Sequence, residues 1–430
     1  MKKIGLHTST AFIVGNMIGS GIFLLPSTLA ALGGISFVGW ACSTVGAFLF
    51  VLLFRGLSSH FPNTVGGPYA YTRTVLGEFF GFLVGWGYWI SVWCTNAAIA
   101  VAFVGYLSVF IPQINHNEIL SIAFGVGALW LFSFLNFRDI VFVGRIQKLT
   151  TVLKILPLLL IGFVGLFYVD WSLLDFENLS GETDFKAISR ATTLTLFAYL
   201  GIESASITSH KIKKSEANVG RSGLIGFLLT AFIYILCSVV IFGLVSTAKL
   251  SRSTAPFSDA SAAFLGSYAE QFVALVALIA TLGALNGWIL IQGQIAFALA
   301  KDGLFPAFFK KRNQAEVPYI GIVVSSLLAT FLLIAKFSGS LVDVFSFMMN
   351  LSTLSALTPY FLSAVSLFIF IRRGKNASKG MQIVAVLSGL FCLWMIYGVG
   401  IETVSLGVVL LLIGIFMYLL KTIYEKNSRR

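Results

Sequence analysis

The 430-residue chain is 57% hydrophobic and only 11% charged, with a mean hydropathy of +0.92. Soluble globular domains carry roughly 25% charged residues, so these proportions exclude a water-soluble fold and predict an all-α polytopic membrane protein. The net charge of +12 does not argue for nucleic acid, because lysines and arginines at span ends are what orients a chain in a bilayer.

The first apolar run covers about residues 8–31. Met1-Lys2-Lys3 ahead of it superficially resembles a secretory leader, but the run is long and is broken by Asn16, so it reads as a retained first span. Its break is Gly15-Asn16-Met17-Ile18-Gly19-Ser20-Gly21. Glycine costs a helix about 1 kcal/mol relative to alanine, and hydrocarbon offers no water to peptide groups that leave the helix. The break therefore faces protein or a cavity. A second interruption, Leu200-Gly201-Ile202-Glu203-Ser204, sits in the run over 187–208. Broken helices at matching places in two halves of a membrane protein point to a carrier's binding site.

A bilayer core of about 30 Å needs about 20 apolar residues per helix. The pattern predicts twelve spans, near 8–32, 36–58, 80–110, 119–137, 146–168, 187–208, 221–247, 271–300, 318–336, 341–371, 381–399 and 403–423. With both termini cytoplasmic, 23 of the 29 lysines and arginines fall inside, five outside, and Lys154 within a span. The positive-inside rule selects that orientation, in a plasma membrane, or the inner membrane of a bacterium. Because the broken helices are the first and the sixth, the second unit of five spans enters from the opposite side. A single transport domain, 1–430, is thus expected as a 5+5 inverted repeat, about 8–168 and 187–371, with two additional spans over 381–423.

At such breaks, half-helix amino termini suit anions and freed carbonyls suit cations. An amino acid has both ends. Its carboxylate suits the amides around Ser20 and Gly21, and its ammonium suits the carbonyls near Phe197 and Leu200. Cys42, Cys94, Cys237 and Cys392 lie in apolar runs without CxxC spacing, so neither a disulfide framework nor a metal site is expected. His7, His60, His116 and His210 lie near span ends, and no zinc-protease, nucleophile-elbow or phosphate-loop motif is present. An enzyme and a bound cofactor are not expected. The intramembrane polar residues cluster at one depth, which argues against the continuous polar lining of a channel.

The segments Gly15-Asn16-Met17-Ile18-Gly19-Ser20-Gly21-Ile22-Phe23-Leu24-Leu25-Pro26, Gly66-Gly67-Pro68-Tyr69-Ala70-Tyr71, Gly201-Ile202-Glu203-Ser204-Ala205-Ser206 and Lys301-Asp302-Gly303-Leu304-Phe305-Pro306 resemble the amino acid/polyamine/organocation superfamily in order and spacing. Within it the chain is most similar to bacterial basic amino acid/polyamine antiporters, the arginine/agmatine and putrescine/ornithine exchangers. The resemblance implies exchange of a cationic amino acid for a related amino acid or its decarboxylated amine. Proton-coupled symport is the alternative. It implies a carboxylate site at Met17, Ser20 and Gly21, with Asn16 binding substrate or capping freed backbone. It implies an ammonium site at Phe197, Leu200 and Gly201, and a lining or gate from Tyr88, Asn96, Trp288, Ser352 and Tyr360. A homodimer is a further expectation of the same resemblance.

Phe197, Ser91 with Val92, and Lys154 depart from that family's pattern. Phe197 replaces a tryptophan common in the antiporters, which keeps an aromatic face but weakens it toward a cation. Ser91 and Val92 match positions at the substrate's distal end in the arginine exchanger. Lys154, about nine residues and roughly 14 Å of helix from Arg145, resembles the fifth-span lysine of proton-coupled permeases, where an ammonium takes the place of a sodium ion; proton carrier and helix-bridging strut both fit it. Glu203 is the one acid placed near the membrane middle, which makes proton-linked gating or a neutral structural carboxyl its two readings. Trp89, Trp93 and Tyr199 read as packing, Phe345 and Phe347 as gates or core, and Lys211, Lys213 and Lys214 as topology signals with anionic lipid contact as the other reading.

Overall fold

The computed structural model describes residues 5–61, 66–138, 140–203, 215–336, 340–374 and 378–427. Among these the chain is helical throughout, and eleven helices are long and apolar enough to cross a membrane. The helices used below are α1 (Leu6–Met17), α2 (Ser20–Ala30), α3 (Ser36–His60), α4 (Pro68–Leu76), α5 (Glu78–Leu107), α6 (Glu118–Leu135), α7 (Ile140–Gly165) and α8 (Asp184–Ala198). They continue with α9 (Ser215–Leu244), α10 (Pro256–Leu265), α11 (Ser267–Lys301), α12 (Tyr319–Lys336), α13 (Leu341–Arg373), α14 (Lys379–Val399) and α15 (Ile401–Asn427).

Burial sorts these helices into an interior and a lipid-facing shell. Helix α5 is wrapped on nearly all sides and packs on α13 and α11, whereas α15 leaves Val408, Val409, Leu412, Phe416 and Leu420 exposed. An apolar outer face is what hydrocarbon solvates, so these exposed side chains are the expected surface of a bilayer protein. Among the described residues, Lys336 pairs with Glu402 at helix ends, and Arg312 pairs with Glu316 in the connection ahead of α12.

The connections use local chemistry that the sequence makes explicit. Asn117 accepts the Leu120 amide at 3.0 Å to start α6, and Ser340 and Ser378 cap α13 and α14 in the same way. One connection occurs twice. Pro68 opens a nine-residue helix that stops at Gly77 (φ 99°), after which the 30-residue α5 begins. Pro256 opens a ten-residue helix that stops at Gly266 (φ 79°), after which the 35-residue α11 begins. Proline suits a first helical turn, and a positive φ favours glycine, so each glycine turns a short helix into a long one.

At one end of the bundle α4 is braced against the end of α11. Tyr69 Oη donates to Asp302 Oδ2 at 3.1 Å, Arg73 Nη1 approaches the same oxygen at 3.4 Å, and Arg73 Nη2 bonds Glu78 Oε1 at 2.8 Å. Burial first, and then the Asp302 carboxylate, hold the Tyr69 hydroxyl protonated well above the ordinary tyrosine range.

Candidate functional site

The first break is narrower than seven residues. Helix α1 runs through Gly15 and Asn16 and stops at Met17; Ile18 and Gly19 leave helical geometry, and α2 starts at Ser20. Only Gly19 of the three glycines is in the gap. The other two permit close packing, since a Cβ on Gly15 would stand 3.0 Å from Thr151 Oγ1 and one on Gly21 would stand 3.3 Å from Ala198 Cα.

Breaking the helix redirects specific backbone groups. In an uninterrupted helix the amide of residue 19 would bond the Gly15 carbonyl. Here Gly19 N–H turns to the Met17 carbonyl at 2.8 Å, and Lys154 Nζ takes the Gly15 oxygen at 2.5 Å. Lys154 is fully buried on α7. The first amides of α2 have no side-chain cap, so that half-helix begins with donors suited to an anion.

The second break begins where α8 ends at Ala198. Tyr199 and Leu200 amides return to the Leu196 and Phe197 carbonyls, a tightened last turn, and Gly201 follows with φ 107°. A Cβ there would meet Asn16 Cβ at 3.4 Å, an ordinary contact, so it is the backbone conformation that asks for glycine. The breaks thus touch reciprocally, Gly21 on Ala198 and Gly201 on Asn16. Tyr234 of α9 joins them further: its hydroxyl lies 2.5 Å from the Met17 carbonyl and 3.0 Å from the Ala198 carbonyl.

Between the breaks lies a narrow recess lined by Asn16, Met17, Gly19, Gly21, Thr95, Ile99, Phe197, Ala198, Leu200 and Trp288. Its free space is about that of a single water molecule, so the walls of the site stand closed on one another in this structure. Phe197 and Trp288 supply aromatic faces, Phe197 packing edge-on against Phe345 with centroids 6.3 Å apart. No carboxylate is among the lining residues.

Six of the sequence-derived site residues, Asn16, Met17, Gly21, Phe197, Leu200 and Trp288, come together in this lining. Gly201 lies beside it in the second break. Ser20 starts α2, with its side chain outside the described side chains; Ser204–206, His210 and the basic run 211–214 lie outside the described residues. Tyr88 and Tyr360 do not line the recess. They converge on Glu203, donating to Oε1 at 2.5 Å and Oε2 at 2.6 Å, and the Gly201 amide lies 3.3 Å from Oε2.

Asn96 stands beside the lining residue Thr95 but gives its amide nitrogen to Gln292. Ser352 bonds to Thr95 and Ser91 between α5 and α13. Trp89 Nε1 bonds Ser325, and Tyr199 reaches Thr44 within a cluster with Trp40, Phe227 and Tyr234, which agrees with their packing assignment. The four cysteines are free, and no group of three metal-ligating side chains occurs among the described residues.

Thr95 and Ile99 were missed by the sequence reading. The available signal was their spacing from Tyr88, seven and eleven positions along one helix and hence near one face. Tyr234 and Gln292 had no comparable signal, because their roles depend on partners 217 and 196 positions away.

An interrupted first helix and the end of α8 meet around a recess inside an apolar helical bundle, the arrangement of a membrane transporter. The chain belongs to the amino acid permease family, which it matches over residues 4–420. It is 30% identical over 434 residues to the cadaverine/lysine antiporter of Escherichia coli K12, covering 99% of this chain and 96% of that protein. It is also 30% identical to a putative arginine/ornithine antiporter of Bacillus subtilis, and 31% identical to the putrescine transporter PotE of Haemophilus influenzae. Both similarities cover 97% of this chain and 96% of the relative.

Proposed function

We propose that this chain exchanges a cationic amino acid for a related amino acid or its decarboxylated amine, by alternating access around the recess between the two breaks. The observation that carries the reading is the construction of that recess. Its lining combines Gly21 in the uncapped first turn of α2, Phe197 and Ala198 at the end of α8, and the aromatic side chains of Phe197 and Trp288. A carboxylate suits the first, an ammonium the second, and a cationic side chain the third, at about 0.5–2 kcal/mol per cation–π contact. Relatives named for cadaverine, lysine, arginine, ornithine and putrescine support the same class.

In this reading twelve spans form a 5+5 inverted repeat, about 8–168 and 187–371, followed by two more helices over 381–423, in a bacterial-type inner membrane with cytoplasmic termini. The repeated Pro-helix-Gly-helix connection, at 68–107 and again at 256–301, supports the duplication. Asn16, Met17, Ser20 and Gly21 serve the carboxylate, and Phe197, Leu200 and Gly201 the ammonium. Trp288, Asn96 and Ser352 serve the side chain, while Glu203 with Tyr88 and Tyr360 forms a proton-responsive gate.

Proton-coupled uptake is the second reading, favoured by the bond of Lys154 to the freed Gly15 carbonyl. Purified protein in liposomes separates the two. Labelled lysine, arginine, ornithine, cadaverine and putrescine are offered with and without internal substrate and with an imposed pH gradient. Uptake that requires internal substrate establishes exchange; net uptake into empty liposomes under an inward proton gradient establishes symport. Saturable uptake of none of these solutes would sink the assigned substrate class.

A further inference from the structure

Behind the recess wall, Asn96 Nδ2 on α5 donates to Gln292 Oε1 on α11 at 2.7 Å. Gln292 Nε2 donates to Ser326 Oγ at 2.9 Å and to the Ile322 carbonyl at 3.2 Å on α12, and Ser326 pairs with Ser133 of α6 at 2.8 Å. Asn96, Gln292, Ser326 and Ser133 are all fully buried. One amide relay therefore joins four helices at the depth of the recess.

The relay has a polarity that its members dictate. A backbone carbonyl can only accept, so Gln292 must turn its NH2 toward Ile322. Its carbonyl oxygen then faces Asn96, which must present NH2 in reply. Asn96 Oδ1 is left as a buried acceptor with no hydrogen-bond partner among the described residues. An unmet buried acceptor costs about 1–3 kcal/mol, and this one stands next to Thr95 and one turn from Ile99, both in the recess wall. Gln292 is itself one helical turn beyond Trp288 of the opposite wall.

We propose that Gln292 is a positioning residue for substrate selection: by occupying the Asn96 NH2 group it dedicates Asn96 Oδ1 to a donor from the substrate, the side-chain ammonium of a lysine- or diamine-type solute. Without Gln292 the Asn96 amide is free to turn, and offers a donor as readily as an acceptor. The inference rests on the cationic-substrate reading given above. It adds a residue that touches no substrate and selects it by fixing another residue's orientation.

The test compares lysine with norleucine, which has a similar chain and no side-chain ammonium, in counterflow by the full-length protein in liposomes. Gln292→Leu is expected to reduce the lysine-over-norleucine preference about tenfold by raising the lysine KM, with norleucine transport within about twofold of wild type. Ser326→Ala, a milder change that removes one Gln292 acceptor, moves the preference in the same direction by a smaller factor. The double variant Asn96→Leu/Gln292→Leu is expected to discriminate no worse than Asn96→Leu alone. Equal loss of lysine and norleucine in Gln292→Leu, an unchanged preference, or additive losses in the double variant would overturn the inference. A wild type that does not prefer lysine would instead overturn the cationic-substrate reading, and the acceptor role with it.

Discussion

Lys154 and Gly15, separated by 139 positions, are joined by a 2.5 Å hydrogen bond from the lysine ammonium to a carbonyl that the broken first helix no longer uses. The break and the cation answer each other: one supplies a spare acceptor inside the bundle, and the other is a buried donor in need of one. Insertion scales put a mid-membrane lysine at about 2.5–3.5 kcal/mol, so such a residue persists where it is compensated or used.

On the proton-coupled reading, Lys154→Ala loses proton-driven net uptake by at least tenfold, with substrate binding to the purified protein retained. Leaving the Gly15 carbonyl without its donor also costs about 1–3 kcal/mol, read as a lower midpoint of thermal unfolding in detergent. Proton-driven uptake at the wild-type rate would confine Lys154 to a strut.

Glu203 accepts one tyrosine on each carboxylate oxygen, Tyr88 on Oε1 and Tyr360 on Oε2. Glutamine keeps one acceptor but turns an NH2 toward the other hydroxyl. On the gating proposal, Glu203→Gln slows exchange severalfold and alters how exchange depends on pH. A pH–rate profile parallel to that of wild type removes Glu203 from proton linkage.

Trp288 offers the largest aromatic face in the recess. A cation–π contact of about 0.5–2 kcal/mol corresponds to roughly two- to thirtyfold in affinity. Trp288→Ala is expected to raise the KM for cationic substrates by that factor or more at normal membrane abundance, and Trp288→Phe to fall between. Unaltered kinetics in the alanine variant would move the binding site elsewhere.

The brace at Asp302 allows an ordering of two substitutions. Tyr69→Phe deletes a hydrogen bond to a carboxylate, worth about 1.5–3 kcal/mol. Arg73→Gln deletes two partly exposed ion pairs, to Asp302 and to Glu78, each worth about 0–1 kcal/mol. The tyrosine variant should therefore melt lower than the arginine variant, although it removes no charge. Because the folded state holds the Tyr69 proton above the unfolded value, its contribution is present in full below about pH 10 and disappears only as pH rises through the elevated folded value. Melting curves at pH 7, 9 and 11 check both the order and the sign.

The class and the two breaks were legible because glycines inside an apolar run violate a rule that hydrocarbon enforces. The width of the first break was not legible. Gly15 and Gly21 look in sequence like helix breakers, yet they remain helical and serve the approach of Thr151 and Ala198. The residues facing the recess were partly legible: Phe197 and Trp288 carried chemistry that suits a cation, whereas Thr95 carries a common hydroxyl and declares itself only by the wall it joins. Asn96 was expected to line the site, but it is not among the recess-lining residues, and its capture by Gln292 depends on a helix-to-helix contact that no local pattern encodes.

The reciprocal seating of Gly21 on Ala198 and Gly201 on Asn16 divides the labour of recognition between backbone and side chains. In the proposed exchange, peptide groups at the breaks meet the backbone end of the solute: its ammonium and, in an amino acid but not in its amine, its carboxylate. In the same proposal Thr95, Ile99 and Trp288, on continuous helices, meet the side chain. Adaptation to a new solute is thus channelled into the two long helices α5 and α11, and a laboratory library aimed at altered specificity would be wasted on the glycines and well spent on those walls.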